Sequence, residues 1–386
     1  MKKINIYYGP KKEFEKTLLK LNSKKTLAEI ISEYDEKLKR HILYIPQMEQ
    51  KKESENVEDI IKTKEKIENL IAYSESYSGI TEGAVQSFVT ILNEYEIENL
   101  YLQNPPVQIV TQLEQTFNKK IIKYKQYDCK KLTIEMFKKI NSEFDNQIIG
   151  QEKAREKLLV ALYPLINQRE EKKPIVIMFY GPSGVGKTET AKFISNILGQ
   201  KMFRKQFSMF QNVEFSSYLF GGKHFQECFG KDLLERESNV ILLDEFDKSA
   251  SVFHSAFYQL FDEGIFEDKN YRVELKNSII ICTSNYNTSE DIRKNLGDPI
   301  YYRFNSIIKF EQLSNESMNK IIDKLIDKKY KELTKDEKKI INKTNIKKII
   351  SPIVNKINNV RSAEIIIQEL IGMELVKNIL KDKWKN

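Results

Sequence analysis

"GPSGVGKT", Gly181–Thr188, follows directly on an apolar run from Ile175 to Phe179 and opens a helical pattern at Thr188. Gly181, Pro182, Ser183, Gly184, Val185, Gly186, Lys187 and Thr188 fit the spacing GxxxxGK[ST], in which each part answers one need of a bound triphosphate. The glycines let backbone N–H groups turn inward around a β-phosphate, and the following helix points its positive end at the anion. Lys187 then reaches the β- and γ-oxygens, and Thr188 ligates magnesium.

Further along, Val240 to Leu243 is a second buried run that ends in two acids, Asp244 and Glu245. Phosphoryl transfer needs positioning and charge neutralisation, so Asp244 is expected to hold a magnesium shell and Glu245 to polarise an attacking water. The plainer alternative is that both acids cap a following helix. A third run, Ile279 to Thr283, ends in the polar cluster Thr283-Ser284-Asn285, where Asn285 either orients the same water or serves as an ordinary turn residue. Strand and helix patterns alternate through this zone, with a helix around Val252 to Phe261. That order predicts βαβ units and a parallel sheet covered by helices.

The chain has 386 residues, enough for two or three domains. Residues 1–125 mix short β-type runs (Ile4 to Tyr8, His41 to Ile45, Leu100 to Leu102) with amphipathic segments, and predict a small α/β domain. Val57 to Ala72 is read there as a helix with Ile60, Ile61, Ile67, Leu70 and Ile71 on one face. Gln47 to Glu58 reads as a loop or helix start, and the prolines of "QNPPVQ", Gln103–Gln108, as a turn before another helix. Residues 126–143 are charged and read as a bridge. Residues 144–312 form the α/β zone, and 313–386 lose the β-type runs and read as a helical subdomain.

Cys129, Cys228 and Cys282 lie far apart with no CxxC pair, which suggests neither a zinc site nor a disulfide framework and favours a reducing, cytoplasmic setting. No apolar run approaches the roughly 18 residues of a membrane span, and the N-terminal stretch turns charged too soon for a secretory signal. The formal net charge of +8 permits a nucleic-acid or acidic-lipid partner. Its lysines are interspersed with acids, however, as in "KLIDKKYKELTKDEKK", which also reads as solvated helix faces. His41 has no evident partner and reads as a surface or packed histidine, and His224 and His254 have no Cys, Asp or Ser partner at useful spacing and receive no role.

The order of these motifs resembles the AAA+ ATPases, and within them the Clp unfoldase clade, over residues 144–370. The resemblance begins at Ile148-Ile149-Gly150-Gln151, similar to the family's "IGQ", whose apolar residues line the adenine pocket. It continues through the glycine loop and "LLDEFDKS", Leu242–Ser249, and is most specific at "FYQLFDEGIFEDKNYRVELKNSIIICTSN", Phe257–Asn285. It implies ATP and Mg2+ as cofactors and a sheet domain carrying a C-terminal helical lid. Lys187 and Thr188 would serve phosphate and magnesium, Asp244 and Glu245 magnesium and catalysis, and Asn285 would be a first sensor. Arg303, in "YRFNSIIKF", would be the finger that completes a neighbouring subunit's site, with a surface ion pair as the alternative. Arg361 would be a second sensor, although Asn359-Val360 stands where the family has Gly-Ala. A finger acting in trans implies a ring or an open helical assembly, a hexamer by resemblance.

The resemblance weakens at "SSYLFGGKHFQECFGKDLLERES", which is shorter than the family's pore-loop region and lacks its Gly-Tyr-Val-Gly. Lys223-His224-Phe225 is the best substitute, with Phe225 gripping polypeptide; a loop that packs inward is the alternative. Ile371-Gly372-Met373 lies inside the last helical pattern and reads as core packing, so no peptidase partner is expected. Two functions follow: remodelling of a protein partner, or a nucleotide-driven switch acting on nucleic acid or a regulatory or defence complex through the first 125 residues.

Overall fold

The computed structural model describes residues 1–34, 36, 64–167, 173–209, 213–357 and 359–380. Two five-stranded sheets, each wholly parallel, organise them. The first contains β1 (Lys3–Tyr8), β2 (Lys24–Thr26), β3 (Glu65–Ala72), β4 (Tyr95–Gln103) and β5 (Ile122–Gln126) in the order β2-β3-β4-β1-β5. The second contains β6 (Ile175–Tyr180), β7 (Phe203–Gln206), β8 (Val240–Asp244), β11 (Ile279–Thr283) and β12 (Ser306–Lys309) in the order β12-β6-β11-β8-β7. Between β8 and β11 in the chain, β9 (Ile265–Glu267) and β10 (Arg272–Glu274) make an antiparallel hairpin.

The central strands of the second sheet are buried at every residue. Parallel strands covered on both faces read as unbroken apolar runs, which is why IVIMFY, VILLD and IIICT stand out without alternation. Ile281 pairs with Ile177 on one side and Leu242 on the other, so the C-terminal ends of β6, β8 and β11 finish side by side.

Packing divides the chain into two compact units that do not follow chain order. One comprises Met1–Lys130 with Phe210–Ser238 and Ser255–Leu275; the other comprises Lys131–Met209, Asn239–His254 and Lys276–Asn386. Two segments read from sequence as part of the 144–312 zone therefore pack with the first 130 residues. The contacts inside that unit are specific: Lys231 Nζ donates to Ser78 Oγ at 3.1 Å, and the Val107 N–H donates to the Asn270 carbonyl at 2.8 Å.

Two local expectations are corrected. Glu65–Ala72 is strand β3, not the end of a helix; Ile67, Leu70 and Ile71 are buried in it between β2 and β4. A short apolar run fits either period, and pairing on both edges decides it. Ile60 and Ile61, the His41 to Ile45 run and the Gln47 to Glu58 stretch lie outside the described residues. Residues 134–143, read as a bridge, begin the helix Ile134–Gln147, whose start is capped by Thr133 Oγ1 accepting from the Met136 N–H. That helix buries Ile140 and Phe144 in the core of the second unit.

The C-terminal region is helical: Asn315–Glu332, Lys343–Ile350 and Val360–Ile379 enclose Met318, Ile322, Ile326, Ile346, Ile350 and Ile367. Of Ile371-Gly372-Met373 only Ile371 joins this core; Met373 is 56% exposed. All three cysteines are buried. Among the described residues no helix is long and apolar enough to cross a membrane, and no cluster of three or more His, Cys, Asp or Glu side chains is grouped to hold a metal ion.

Candidate functional site

The loop after β6 turns through left-handed backbone into the helix Lys187–Leu198, whose N-cap is Gly186. Gly181 (φ +129°) lies so close to β12 that a Cβ there would sit 2.2 Å from the Phe310 carbonyl oxygen. Gly184 (φ +75°) meets the start of the helix Val360–Ile379, where its Cβ would fall 2.8 Å from Asn359 Cβ; its carbonyl accepts from the Val360 N–H. Side chains are excluded at both positions by backbone angle and by space. Gln151 braces the loop from behind, donating to the Val185 and Glu311 carbonyls and accepting from the Glu311 N–H. Ile148 is buried within 3.2 Å of the space a Gly186 Cβ would fill, and Ile149 is half-buried in the same turn.

Lys187 is buried, and its ammonium donates to the Gly181 carbonyl (2.6 Å), the Pro182 carbonyl (2.7 Å) and Asn285 Oδ1 (3.1 Å). Burial lowers its pKa to about 8, against the attraction of Asp247 and Asp244 and with added repulsion from Arg361. The lysine of the loop, the Asn285 side chain and the charge of Arg361 thus share one neighbourhood. Arg361 lies in the first turn of the helix Val360–Ile379, whose N-cap is Asn359, the side chain of which accepts from the Ser362 N–H.

The two acids stand at the end of β8. Asp244 Oδ1 accepts from the hydroxyls of Thr283 (2.6 Å) and Thr188 (3.4 Å), while its Oδ2 accepts from Arg204 Nε and Nη2 (3.1 and 2.5 Å). Glu245 is left-handed (φ +55°), its N–H donates to Thr283 Oγ1, and its carboxylate accepts from Gln206 Nε2 at 3.1 Å. Behind them, Asp247 accepts from the Asn285 backbone N–H; burial holds its carboxyl above the usual carboxylate range, and its Oδ1 has no hydrogen-bond partner.

The fold therefore brings together the glycine loop, Lys187, Thr188, Asp244, Glu245, Asn285 and Arg361. Arg303 stands apart from this set, in the turn between the helix Asp298–Tyr301 and β12, with its guanidinium donating to the Pro299 carbonyl. Arg204, Gln206, Thr283 and Asp247 escape the sequence reading. The first two belong to the half-exposed strand FRKQ, which carries no apolar signature, whereas Thr283 and Asp247 are signalled only by sitting beside motif residues.

His224 and His254 are packed. His224 is 6% exposed with Nε2 2.7 Å from the Ile80 carbonyl, while neighbouring Phe225 is 48% exposed. His254 stacks on Phe246 and meets Ser249 Oγ; burial lowers its pKa to about 4.

Residues 172–352 match the family model for the AAA domain (Cdc48 subfamily). Among curated proteins, the chain is 30% identical over 223 residues to the chaperone protein ClpB of Clostridium perfringens, covering 49% of this chain and 26% of that protein. It is 33% identical over 178 residues to the AAA+ ATPase ClpV1 of Pseudomonas aeruginosa, covering 43% and 20% respectively. Over 214 residues it is 29% identical to the ATP-dependent Clp protease ATP-binding subunit ClpL of Staphylococcus aureus, covering 49% and 30%. The matched segment thus spans between a fifth and three tenths of these relatives.

Proposed function

We propose that the stretch from residue 172 to 352 is a AAA+ ATPase domain of the Clp type and that the chain hydrolyses ATP to remodel a protein partner. The observation that carries this is the convergence of Lys187, Thr188, Asp244, Glu245 and Asn285 at the C-terminal edge of one parallel sheet. The residues fit a nucleoside triphosphate: glycines whose side-chain space is taken, a helix N-terminus, a buried ammonium, and a hydroxyl paired with a carboxylate.

In this reading Lys187 binds the β- and γ-phosphates, and Thr188 and Asp244 hold Mg2+. When bound, that ion supplies charge neutralisation across the phosphates. Glu245 polarises the attacking water, Asn285 orients it while engaging Lys187, and Arg361 reaches the γ-phosphate from the helical lid. Ile148 and Ile149 border the base. Arg303 serves the next subunit, which requires a head-to-tail assembly, a ring or an open helix, and a hexamer by family likeness. Residues 144–312 are the ATPase domain, 313–386 the lid, and 1–125 select the partner, in a cytoplasmic setting.

A second reading, a switch whose output is the N-terminal region, is favoured by one observation. The segments Phe210–Ser238 and Ser255–Leu275 pack in the same unit as the first 130 residues, and His224 is buried against Ile80. Nucleic acid as the target of that switch rests only on the net charge.

The test is the solution mass of Glu245→Gln with and without ATP, alongside the hydrolysis rate of the wild type. ATP-dependent growth to about six subunits supports the ring. A wild-type chain that neither binds nor hydrolyses ATP overturns the assignment. A persistent monomer that binds ATP removes the trans finger and leaves the switch.

A further inference from the structure

We propose that Thr283 is a positioning residue for hydrolysis, one hydroxyl that fixes the magnesium-side acid and the water-side acid as a single unit. The inference rests on the ATPase reading above and assigns a role to a side chain that reading leaves unused.

Thr283 is the last residue of β11 and is 2% exposed. Its strand runs beside β8 in register, Cys282 against Leu243, so its side chain arrives where β8 ends in Asp244 and Glu245. A hydroxyl has one donor and two acceptor lone pairs, and Thr283 uses both capacities at once. It donates to Asp244 Oδ1 at 2.6 Å and accepts from the Glu245 backbone N–H at 2.9 Å.

Each bond removes a different freedom. Asp244 is gripped at Oδ2 by Arg204, so the Thr283 bond at Oδ1 completes a hold on both oxygens and turns the remaining Oδ1 lone pair toward Thr188. Glu245 occupies left-handed backbone (φ +55°, ψ +44°), which a residue with a side chain keeps only when its surroundings over-determine it. The Thr283 oxygen anchors the amide at the start of that turn, and the turn carries the Glu245 carboxylate to Gln206. Removing the hydroxyl would take this partner from the part-buried Glu245 N–H and let the two acids move independently.

Thr283→Val keeps the shape and removes both bonds, while Thr283→Ser keeps both bonds and removes a methyl group. Two quantities are measured on each full-length variant and on the wild type. One is kcat and KM for ATP. The other is the ratio of affinities for a fluorescent ATP analogue with and without Mg2+, a binding readout that a purely packing role would not move selectively.

The expected result for Thr283→Val is a fall in kcat of about 10–100-fold, with most of the Mg2+-dependent gain in affinity lost and KM rising accordingly, while affinity without Mg2+ is kept. Thr283→Ser should return both quantities to within about threefold of wild type. Wild-type behaviour of the valine variant overturns the proposal. So does a serine variant whose kcat or Mg2+-dependent affinity gain falls by about tenfold or more, which would leave only packing, and this arm stands even if the valine variant does not fold. If the wild type itself shows no turnover, the ATPase reading fails separately, and the Mg2+-dependent affinity ratio still tests Thr283.

Discussion

The two sheets are built alike and finished differently. Both have five parallel strands, and in both the polar groups gather at the C-terminal ends, where an open α/β sheet forms its crevice. In the second sheet the crevice is edged by a glycine loop, a lysine and two acids. In the first, between β4 and β1, Gln103 and Asn104 donate from their side-chain amides to Glu235 Oε1, both at 2.7 Å. The Lys11 N–H, at the start of the helix Lys11–Leu18, donates to Glu235 Oε2 at 3.0 Å. One helix start is thus satisfied by a carboxylate of its own chain, whereas the other is flanked by groups that fit an external anion. The same architecture becomes a site or a structural joint according to what the chain itself brings to the crevice.

The sharpest way to break this contrast is Glu245→Gln, expected to slow hydrolysis by about 10²–10⁴-fold while leaving ATP binding intact, measured as steady-state rate and Kd. Equal rates would mean that the second crevice binds without catalysing. Next in size, Glu235→Ala should destabilise the first unit by about 1–3 kcal/mol in chemical denaturation, because it strands the amide donors of Gln103 and Asn104. Unchanged stability would show that water replaces the carboxylate and that the joint is not structural.

A titration separates the two crevices further. Lys187, with a pKa lowered to about 8 by burial, must be protonated to attract phosphate, and phosphate in turn favours its protonated form. ATP affinity should therefore be flat below pH 8 and weaken above it, by about tenfold between pH 7 and pH 9. Constant affinity across that range would place the phosphates elsewhere. The smallest effect is expected at Thr133→Ala, which removes the cap of the helix Ile134–Gln147 and should cost about 1 kcal/mol in unfolding free energy without changing kcat.

Much of the second sheet is legible in the sequence because its features are local. Unbroken apolar runs mark β6, β8 and β11, and each ends in the residue type that its position requires. β3 is misread because Ile67, Leu70 and Ile71 satisfy a helical spacing when viewed alone, and only strand pairing on both sides resolves them. Arg204 and Glu235 escape the sequence reading for a related reason. Each is a charged residue in a segment that looks solvated, and each takes its meaning from a partner far along the chain, Asp244 in one case and Asn104 in the other. Local pattern carries no trace of such pairings.

That distance has a consequence for how the protein is made. Asn104 and Glu235 are separated by 131 residues, so a ribosome moving at roughly 5–20 residues per second completes the first sheet on the order of ten seconds before its closing carboxylate exists. During that interval the nascent sheet must hold together by its strand pairing and apolar core, with the Gln103 and Asn104 amides bonded to the Gly9 carbonyl but not yet to a carboxylate. A fragment that stops at Lys130 would be frozen at this stage, and its stability would report how far the first half can travel before the second half arrives.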